Sequence, residues 1–337
     1  MKPALVVSGG GSKGAFAVGA IRYLREEQHI EFGLVSGTST GALIAPLAVT
    51  DELDLLEEIY TSVDTKHILK KVSLETTWDR GYLFDTTPLE KLVSKHLDDG
   101  RAKQILDAGV PAFIATVCLQ TGRLTYFQTG RFQGQPSAGA ELVRVGDRAT
   151  LITAIIASAC QPVFMPPIWL PAGEQPVREY VDGGVREYAP IDVAITNGAD
   201  DIYVVMHSPP PEDRTPKEGQ VKGLTAIAGR ALSLLIDEVG SSDLRIAQVF
   251  TEATAYLETI RRNARNLGLT HQQITQLFSG ANPFVGRRPV RLHTIRPEKD
   301  FPTEGLDFNP AMMKDFVAWG RRRAADLLSG GQTTDGG

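Results

Sequence analysis

Three short stretches carry residues whose types and spacing could do covalent chemistry. Gly37-Thr-Ser-Thr-Gly41 sets a serine between two glycines, directly after the apolar run Phe32-Gly-Leu-Val-Ser36. A strand that turns sharply into a helix holds such a serine clear of its neighbours and leaves the first amides of the helix without internal partners. Ala4-Leu-Val-Val-Ser-Gly-Gly-Gly-Ser-Lys-Gly14 repeats the same strand, turn and helix grammar, with bare backbone in place of the serine. A nucleophile on one turn and N–H donors on the other is the equipment of acyl transfer, where negative charge builds on the attacked carbonyl oxygen. Ser39 is therefore the expected nucleophile, within an elbow made by Gly37, Thr38, Thr40 and Gly41. Gly9, Gly10, Gly11 and Gly14 are the expected oxyanion loop, and Lys13 either locks that loop or adds positive potential.

A serine hydroxyl needs a base. Val181-Asp-Gly-Gly-Val185 places a carboxylate at a strand end beside Gly183 and Gly184, where it can be approached closely. The same residues would also make an ordinary Asp-Gly turn. Ser39, Asp182 and His207 follow the chain order of an α/β-hydrolase triad, but only one strand precedes the one that delivers Ser39, which is too few for that fold. None of the six histidines sits in a glycine-rich turn, and His207 at a strand end reads better as structural. Asp182 is the expected partner of Ser39, on condition that solvent is excluded from the pair.

Two nucleotide readings fail. Gly9-Gly-Gly-Ser-Lys-Gly14 satisfies a dinucleotide fingerprint, yet the second strand ends in Gly-Thr-Ser-Thr-Gly rather than in an acidic residue, and Glu31 lies at its beginning. A phosphate loop would require a hydroxyl residue after Lys13, where Gly14 stands.

The elements that must position these residues alternate strand with helix through the chain. Apolar spacing gives a helix over 15–28 and another from Thr40 through Ala48. Pro111–Leu119 and Leu124–Gln128 read as a hairpin, Leu151–Ala159 as a helix, and Asp201–His207 as a buried parallel strand. Val163-Phe-Met-Pro-Pro-Ile-Trp169 is too proline-rich for a central strand and suits an edge or wall. Trp78, Tyr82 and Phe84 around Gly81 could cover the site or serve as local core. Leu224–Glu238 and Asp243–Asn266 read as two helical tracts and Asn309–Leu328 as a last amphipathic helix. Met312, Met313, Phe316, Val317 and Trp319 of that helix would face either a membrane surface or the sheet. The expected architecture is α/β: a three-layer α/β/α sandwich with a central mixed, mostly parallel sheet. One domain spans 1–329, with a more divergent helical part from about 221, and 330–337 reads as a disordered tail.

With 337 residues, 42% hydrophobic, and a net charge of -5, the chain is globular in composition, and its acidic balance argues against duplex nucleic acid as a partner while leaving room for local basic patches. Cys118 and Cys160 lie in apolar surroundings with no metal-like spacing. A first strand beginning by Ala4 leaves no room for a signal peptide, and no apolar run reaches spanning length, so a cytoplasmic chain without a transmembrane segment is expected.

Taken together, the three motifs resemble the patatin-like phospholipases. Gly9-Gly-Gly-Ser-Lys-Gly14 is similar to that family's oxyanion loop, with lysine where arginine is commoner. Gly37-Thr-Ser-Thr-Gly41 is similar to its nucleophile elbow, Asp182-Gly-Gly184 to its aspartate motif, and Ala157-Ser-Ala-Cys-Gln-Pro-Val-Phe-Met-Pro-Pro167 to the wall before the aspartate. The resemblance is strong over residues 4–207. It departs at Tyr188, where the family often has asparagine, and that bears on how the loop after the aspartate is held. The resemblance implies a Ser39–Asp182 dyad that hydrolyses fatty-acyl esters of phospholipids or lysophospholipids through an acyl-enzyme, with no cofactor and no metal. It also implies a lipid ester substrate met by transient contact with a micelle or with the inner face of the membrane. Phe164, Met165, Ile168 and Trp169 are the expected acyl groove. The rivals are a carboxylesterase or acyltransferase using the same intermediate, and an inactive lipid-binding or scaffold protein.

Overall fold

Strand residues in the first half of the chain alternate between two buried faces, and this alternation sets the layers. Leu5 and Val7 of β1 (Ala4–Val7) join one apolar cluster, Ala4 and Val6 the other. Strands covered on both sides are expected where helices lie on each face of a parallel sheet. The computed structural model describes residues 2–73, 77, 81–170, 177–216, 219–279 and 288–329. Trp78 and the expected tail at 330–337 lie outside the described residues.

The sheet continues through β2 (Leu34–Thr38), β5 (Ala112–Cys118), β6 (Leu124–Gln128), β7 (Glu141–Arg144), β8 (Ile168–Leu170), β9 (Arg178–Asp182), β10 (Asp201–Val205) and β11 (Arg291–Ile295). A separate two-stranded ribbon joins β3 (Lys70–Lys71) to β4 (Phe84–Asp85). The main order is β11-β10-β1-β2-β5-β6-β7, and β11, β10, β1, β2 and β5 all run parallel. The expected hairpin is present, with Thr116 opposite Thr125. At β5 the order branches: β9 pairs antiparallel with β5, and β8 with β9. The architecture is the expected α/β one, a mixed and mostly parallel sheet between helices.

One face carries α1 (Gly14–Glu26), α2 (Thr40–Val49), α3 (Leu53–Ser62), α4 (Thr65–Ile68), α5 (Thr87–His96), α6 (Asp99–Asp107) and α7 (Arg148–Ala159). The other carries α8 (Ile191–Thr196) and part of α9 (Leu224–Asn266), which is followed by α10 (His271–Leu277). The last helix, α11 (Pro310–Ser329), packs on α1, where Gly19 meets the backbone at Val317 and Gly320 meets the backbone at Phe16. Met313, Phe316 and Val317 are buried there, so the apolar stripe of this helix is core and is not turned to a membrane.

The two helical tracts expected after residue 221 are one helix of 43 residues. Gly240 does not end it, because the bare Cα lies against the ring of Tyr188, where a Cβ would stand 2.6 Å from the ring. The proline-rich stretch gives only the short edge strand β8, preceded by a turn in which Val163 has a φ of 72°. Among the described residues no helix is long and apolar enough to cross a membrane.

Candidate active site

The strand register brings two chain ends to one spot. On the edge of β5 that faces away from β6, Thr38 pairs with Ala115 and Asp182 pairs with Thr116. Because β2 is parallel to β5 and β9 antiparallel, the two strands run toward each other along that edge and stop at adjacent residues. The residue after Thr38 is Ser39, and the last residue of β9 is Asp182.

Ser39 sits at the N-cap of α2 with φ 56° and ψ -118°, a conformation that costs a non-glycine residue on the order of 1–3 kcal/mol. The flanking glycines allow it. A Cβ on Gly37 would stand 2.2 Å from the Gly41 carbonyl oxygen, and one on Gly41 would stand 2.1 Å from the carbonyl oxygen of Val7. Thr38 donates its hydroxyl to the Glu187 carbonyl at 3.0 Å, and Thr40 is hydrogen-bonded to the buried Tyr60 hydroxyl. The amide of Ser39 donates to the Ser158 hydroxyl.

Asp182 is buried, its carboxylate accepts from the Gly184 amide at 2.8 Å, and it lines the same cavity as Ser39. Burial pushes its pKa up to about 6, while the Gly184 amide and the neighbouring Ser39 hydroxyl pull in the opposite direction. Gly183 lies flat on β5, since a Cβ there would meet the Ala115 carbonyl oxygen at 2.6 Å. The backbone amide of Asp182 donates to the Cys160 carbonyl at 2.9 Å. The end of α7 thus positions both halves of the pair, through the Ser158 hydroxyl and the Cys160 carbonyl.

The glycine loop leaves β1 one strand away, at the level where Val7 pairs with Gly37. Gly9 lies against Ser39, where a Cβ would be 3.3 Å from the serine Cβ. Its amide is committed to the Tyr188 carbonyl at 3.1 Å, whereas the amides of Gly10 and Gly11 have no acceptor among the described residues. Gly10 and Gly11 have φ values of 156° and 60°. Gly14 opens α1, its Cα close to the Thr40 hydroxyl, and the Lys13 ammonium lies 5.8 Å from the centre of the Phe301 ring. From the far end of the chain Gly305 closes over this loop: its carbonyl accepts from the Ser12 amide at 2.9 Å, and a Cβ on Gly11 would stand 2.0 Å from the same oxygen.

His207 belongs to the support of the loop. It is buried, its Nδ1 lies 2.8 Å from the Gly9 carbonyl oxygen and 3.0 Å from the Ser8 hydroxyl, and burial lowers its pKa to about 4. The imidazole is therefore neutral, with Nδ1–H donating to Gly9. Tyr188 fills the space that Gly9, Gly184 and Gly240 leave. Its own amide and that of Ala189 donate to one oxygen of Asp243 on α9, at 2.8 and 3.0 Å. That carboxylate is pushed up to about 7, chiefly by burial.

A cavity of about 160 Å³ opens from this point, with Gly10, Gly11, Lys13, Ser39 and Asp182 at one end. Its walls are apolar and come from α2, α3 and α5, among them Leu43, Leu47, Leu56, Ile59, Leu89 and Leu92. Of the expected groove residues Met165 lines it. Phe164 instead packs on Gly229, Ile168 lies half-buried in the edge strand, and Trp169 is exposed. The cavity walls carry no sequence signal of their own, because helix faces that line a cavity have the same apolar spacing as helix faces that line a core. Ser158 and Asp243 carry no sequence signal of their own, although Ser158 falls within the wall segment before the aspartate.

A crystal structure of VipD from Legionella pneumophila is similar over 98% of this chain and 67% of its own, at 15% identity and a TM-score of 0.42. No curated protein sequence is matched. The sequence model of the patatin-like phospholipases matches residues 5–195, more than half of the chain, and the protein belongs to that family.

Proposed function

We propose that the protein hydrolyses fatty-acyl esters of phospholipids or lysophospholipids, with Ser39 as nucleophile and Asp182 as the only general base. Family membership supports lipid acyl hydrolysis in general. The dyad rests on one observation: the strand register stops Ser39 and the buried Asp182 carboxylate at adjacent residues of β5, and both line the same apolar cavity.

The ester carbonyl lies over Ser39 with its acyl chain in the cavity. Asp182 takes the hydroxyl proton as Ser39 Oγ bonds to the carbonyl carbon, and the amides of Gly10 and Gly11 hold the oxyanion. As the C–O bond breaks, Asp182 returns the proton to the departing alcohol, leaving an acyl-enzyme. Water enters and gives a proton to Asp182, and its oxygen attacks the same carbon. Ser39 then leaves with that proton, and a fatty acid is released. With a pKa near 6 the carboxylate is ionised at neutral pH and still basic enough to share a proton.

A panel of phospholipids, lysophospholipids and short-chain p-nitrophenyl esters, run beside Ser39→Ala, tests the reading. Fatty acid released from lipid by the parent and not by Ser39→Ala supports it. Release from short-chain esters alone makes the protein a carboxylesterase. Absence of turnover, together with no fluorophosphonate label on Ser39, makes it a binding protein.

A further inference from the structure

Glu187 is a carboxylic acid sealed under the sheet, 7% exposed. Its carboxyl accepts from the hydroxyl of Tyr126, a fully buried residue of β6, and among the described residues no cation pairs with it. The charged groups near it are Asp243 of α9 and Asp192 of α8, and with burial they hold its pKa well above the usual carboxylate range, so the group is neutral at pH 7. An apolar side chain would fill the same space with no polar group to desolvate. What the acid adds is a bond with a direction.

The strand register sets what that bond holds. Thr38, Ala115 and Tyr126 stand in one row across β2, β5 and β6, and neighbours in such a row turn their side chains to the same face. Glu187 spans the row. At one end its carbonyl accepts from the Thr38 hydroxyl at 3.0 Å, and at the other its carboxyl meets the Tyr126 hydroxyl, which also lies 3.0 Å from the Ser137 hydroxyl. The Glu187 amide donates to the Gly183 carbonyl at 2.9 Å and closes the turn that starts at Asp182. One residue is thus bonded to the residue before the nucleophile, to the residue after the aspartate and to the strand beyond β5. Arg186 also reaches across, to the Gly122 carbonyl, but it does so in solvent. Glu187 makes the buried tether.

We propose that Glu187 is a positioning residue: its carboxyl, anchored on Tyr126, fixes the turn that carries Asp182 against the turn that carries Ser39. The proposal rests on the dyad reading for its effect on turnover, and the anchor itself can be read without turnover.

Three variants separate position from packing, assayed on a butyrate ester. Glu187→Gln keeps an oxygen for the Tyr126 hydroxyl and is expected to keep kcat within about threefold of the parent. Tyr126→Phe removes the hydroxyl alone and is expected to lower kcat about tenfold or more with KM within about twofold. Glu187→Leu with Tyr126→Phe replaces both partners by apolar groups, an exchange that is nearly neutral for stability. That double variant is expected to melt near the parental temperature and still lose about thirtyfold in kcat, with fluorophosphonate labelling of Ser39 slowed in proportion. A folded double variant with parental kcat overturns the proposal, because the pair is then packing only. A Gln variant as slow as the double variant overturns it as well. If the double variant does not fold, Tyr126→Phe decides by the same criterion. A parent that cleaves no ester and takes no label refutes the hydrolysis, and the anchor is then read by NMR of labelled aspartate. Asp182 titrating near 6 in the parent and the Gln variant, and at about 4 in the double variant or in Tyr126→Phe, where water reaches a loosened carboxylate, upholds the anchor. The same titration in all of them overturns it.

Discussion

The amide of Ser39 donates to the Ser158 hydroxyl at 2.9 Å, and that hydroxyl donates in turn to the Ala115 carbonyl at 2.6 Å. One small side chain therefore ties the strained backbone at Ser39 to β5. Ser158→Ala leaves a buried amide and a buried carbonyl without partners, a cost of about 1–3 kcal/mol for each group so stranded. The expected outcome is a melting temperature lower by several degrees and a kcat at least tenfold lower, with KM for a short ester close to parental. Calorimetry and steady-state kinetics check both.

The pH profile should carry the mark of Asp182. Its carboxyl is pushed up to about 6 and must be ionised to accept a proton, so kcat/KM should rise with pH through about 6 and level off above it. Asp182→Asn, which cannot take up a proton, should lose about a thousandfold or more in kcat. Ser39→Ala removes a neighbouring hydroxyl that favours the charged form, so the carboxyl should titrate still higher in that variant, as NMR of labelled aspartate would read. The sign for folding is the opposite of the sign for activity. A raised carboxyl pKa favours the protonated native state, and this pair should cost stability as pH climbs from about 4 to 6.

Asp243 separates hydrogen bonding from charge. One of its oxygens takes both amides, from Tyr188 and Ala189, and burial raises its pKa to about 7. The oxygen of an asparagine can accept the same two bonds with no charge to bury. Asp243→Asn should match the parent in denaturant below about pH 4 and exceed it by a margin that grows up to about pH 7, as the unfolded carboxyl ionises and the folded one resists. Asp243→Ala should lose roughly 2–4 kcal/mol below about pH 4, because two buried amides lose their acceptor, and less at pH 8, where the parent carries the cost of the charge. Its kcat should fall as well, since the Gly9 amide hangs on the carbonyl of Tyr188.

Chain-length preference should answer to α2. Leu43 and Leu47 line the cavity one and two turns beyond Ser39, which places Leu47 roughly 12 Å along the helix from the nucleophile. Leu47→Trp should block the deeper cavity and leave the mouth open. The expected result is a kcat/KM for long-chain esters at least tenfold lower, with four-carbon esters hydrolysed at the parental rate. Equal losses on both would mean that the acyl chain takes another course.

What could be read in advance was what glycine and apolar runs announce locally. Gly37 and Gly41 around Ser39, and Gly183 and Gly184 after Asp182, mark turns at strand ends, and the strands themselves are plain in their apolar runs. The continuity of α9 was hidden because Val-Gly-Ser-Ser at 239–242 looks like a stop, while the reason it continues is the ring of Tyr188, some fifty residues earlier in the chain. The cavity walls, the anchoring by Ser158 and the clasp of Asp243 depend on which helices become neighbours. Only the strand order around β5 decides that.

The contact between Gly11 and Gly305 bears on how the enzyme is made. The family match ends at residue 195, yet the carbonyl that fixes the Ser12 amide, beside the two free donors, belongs to Gly305. A nascent chain that has left the ribosome only as far as β10 already holds the hydroxyl and the carboxylate. It lacks the clamp that gives the glycine turn its course. Competence for catalysis should thus arrive late in synthesis, when the closing segment comes to rest on the opening one.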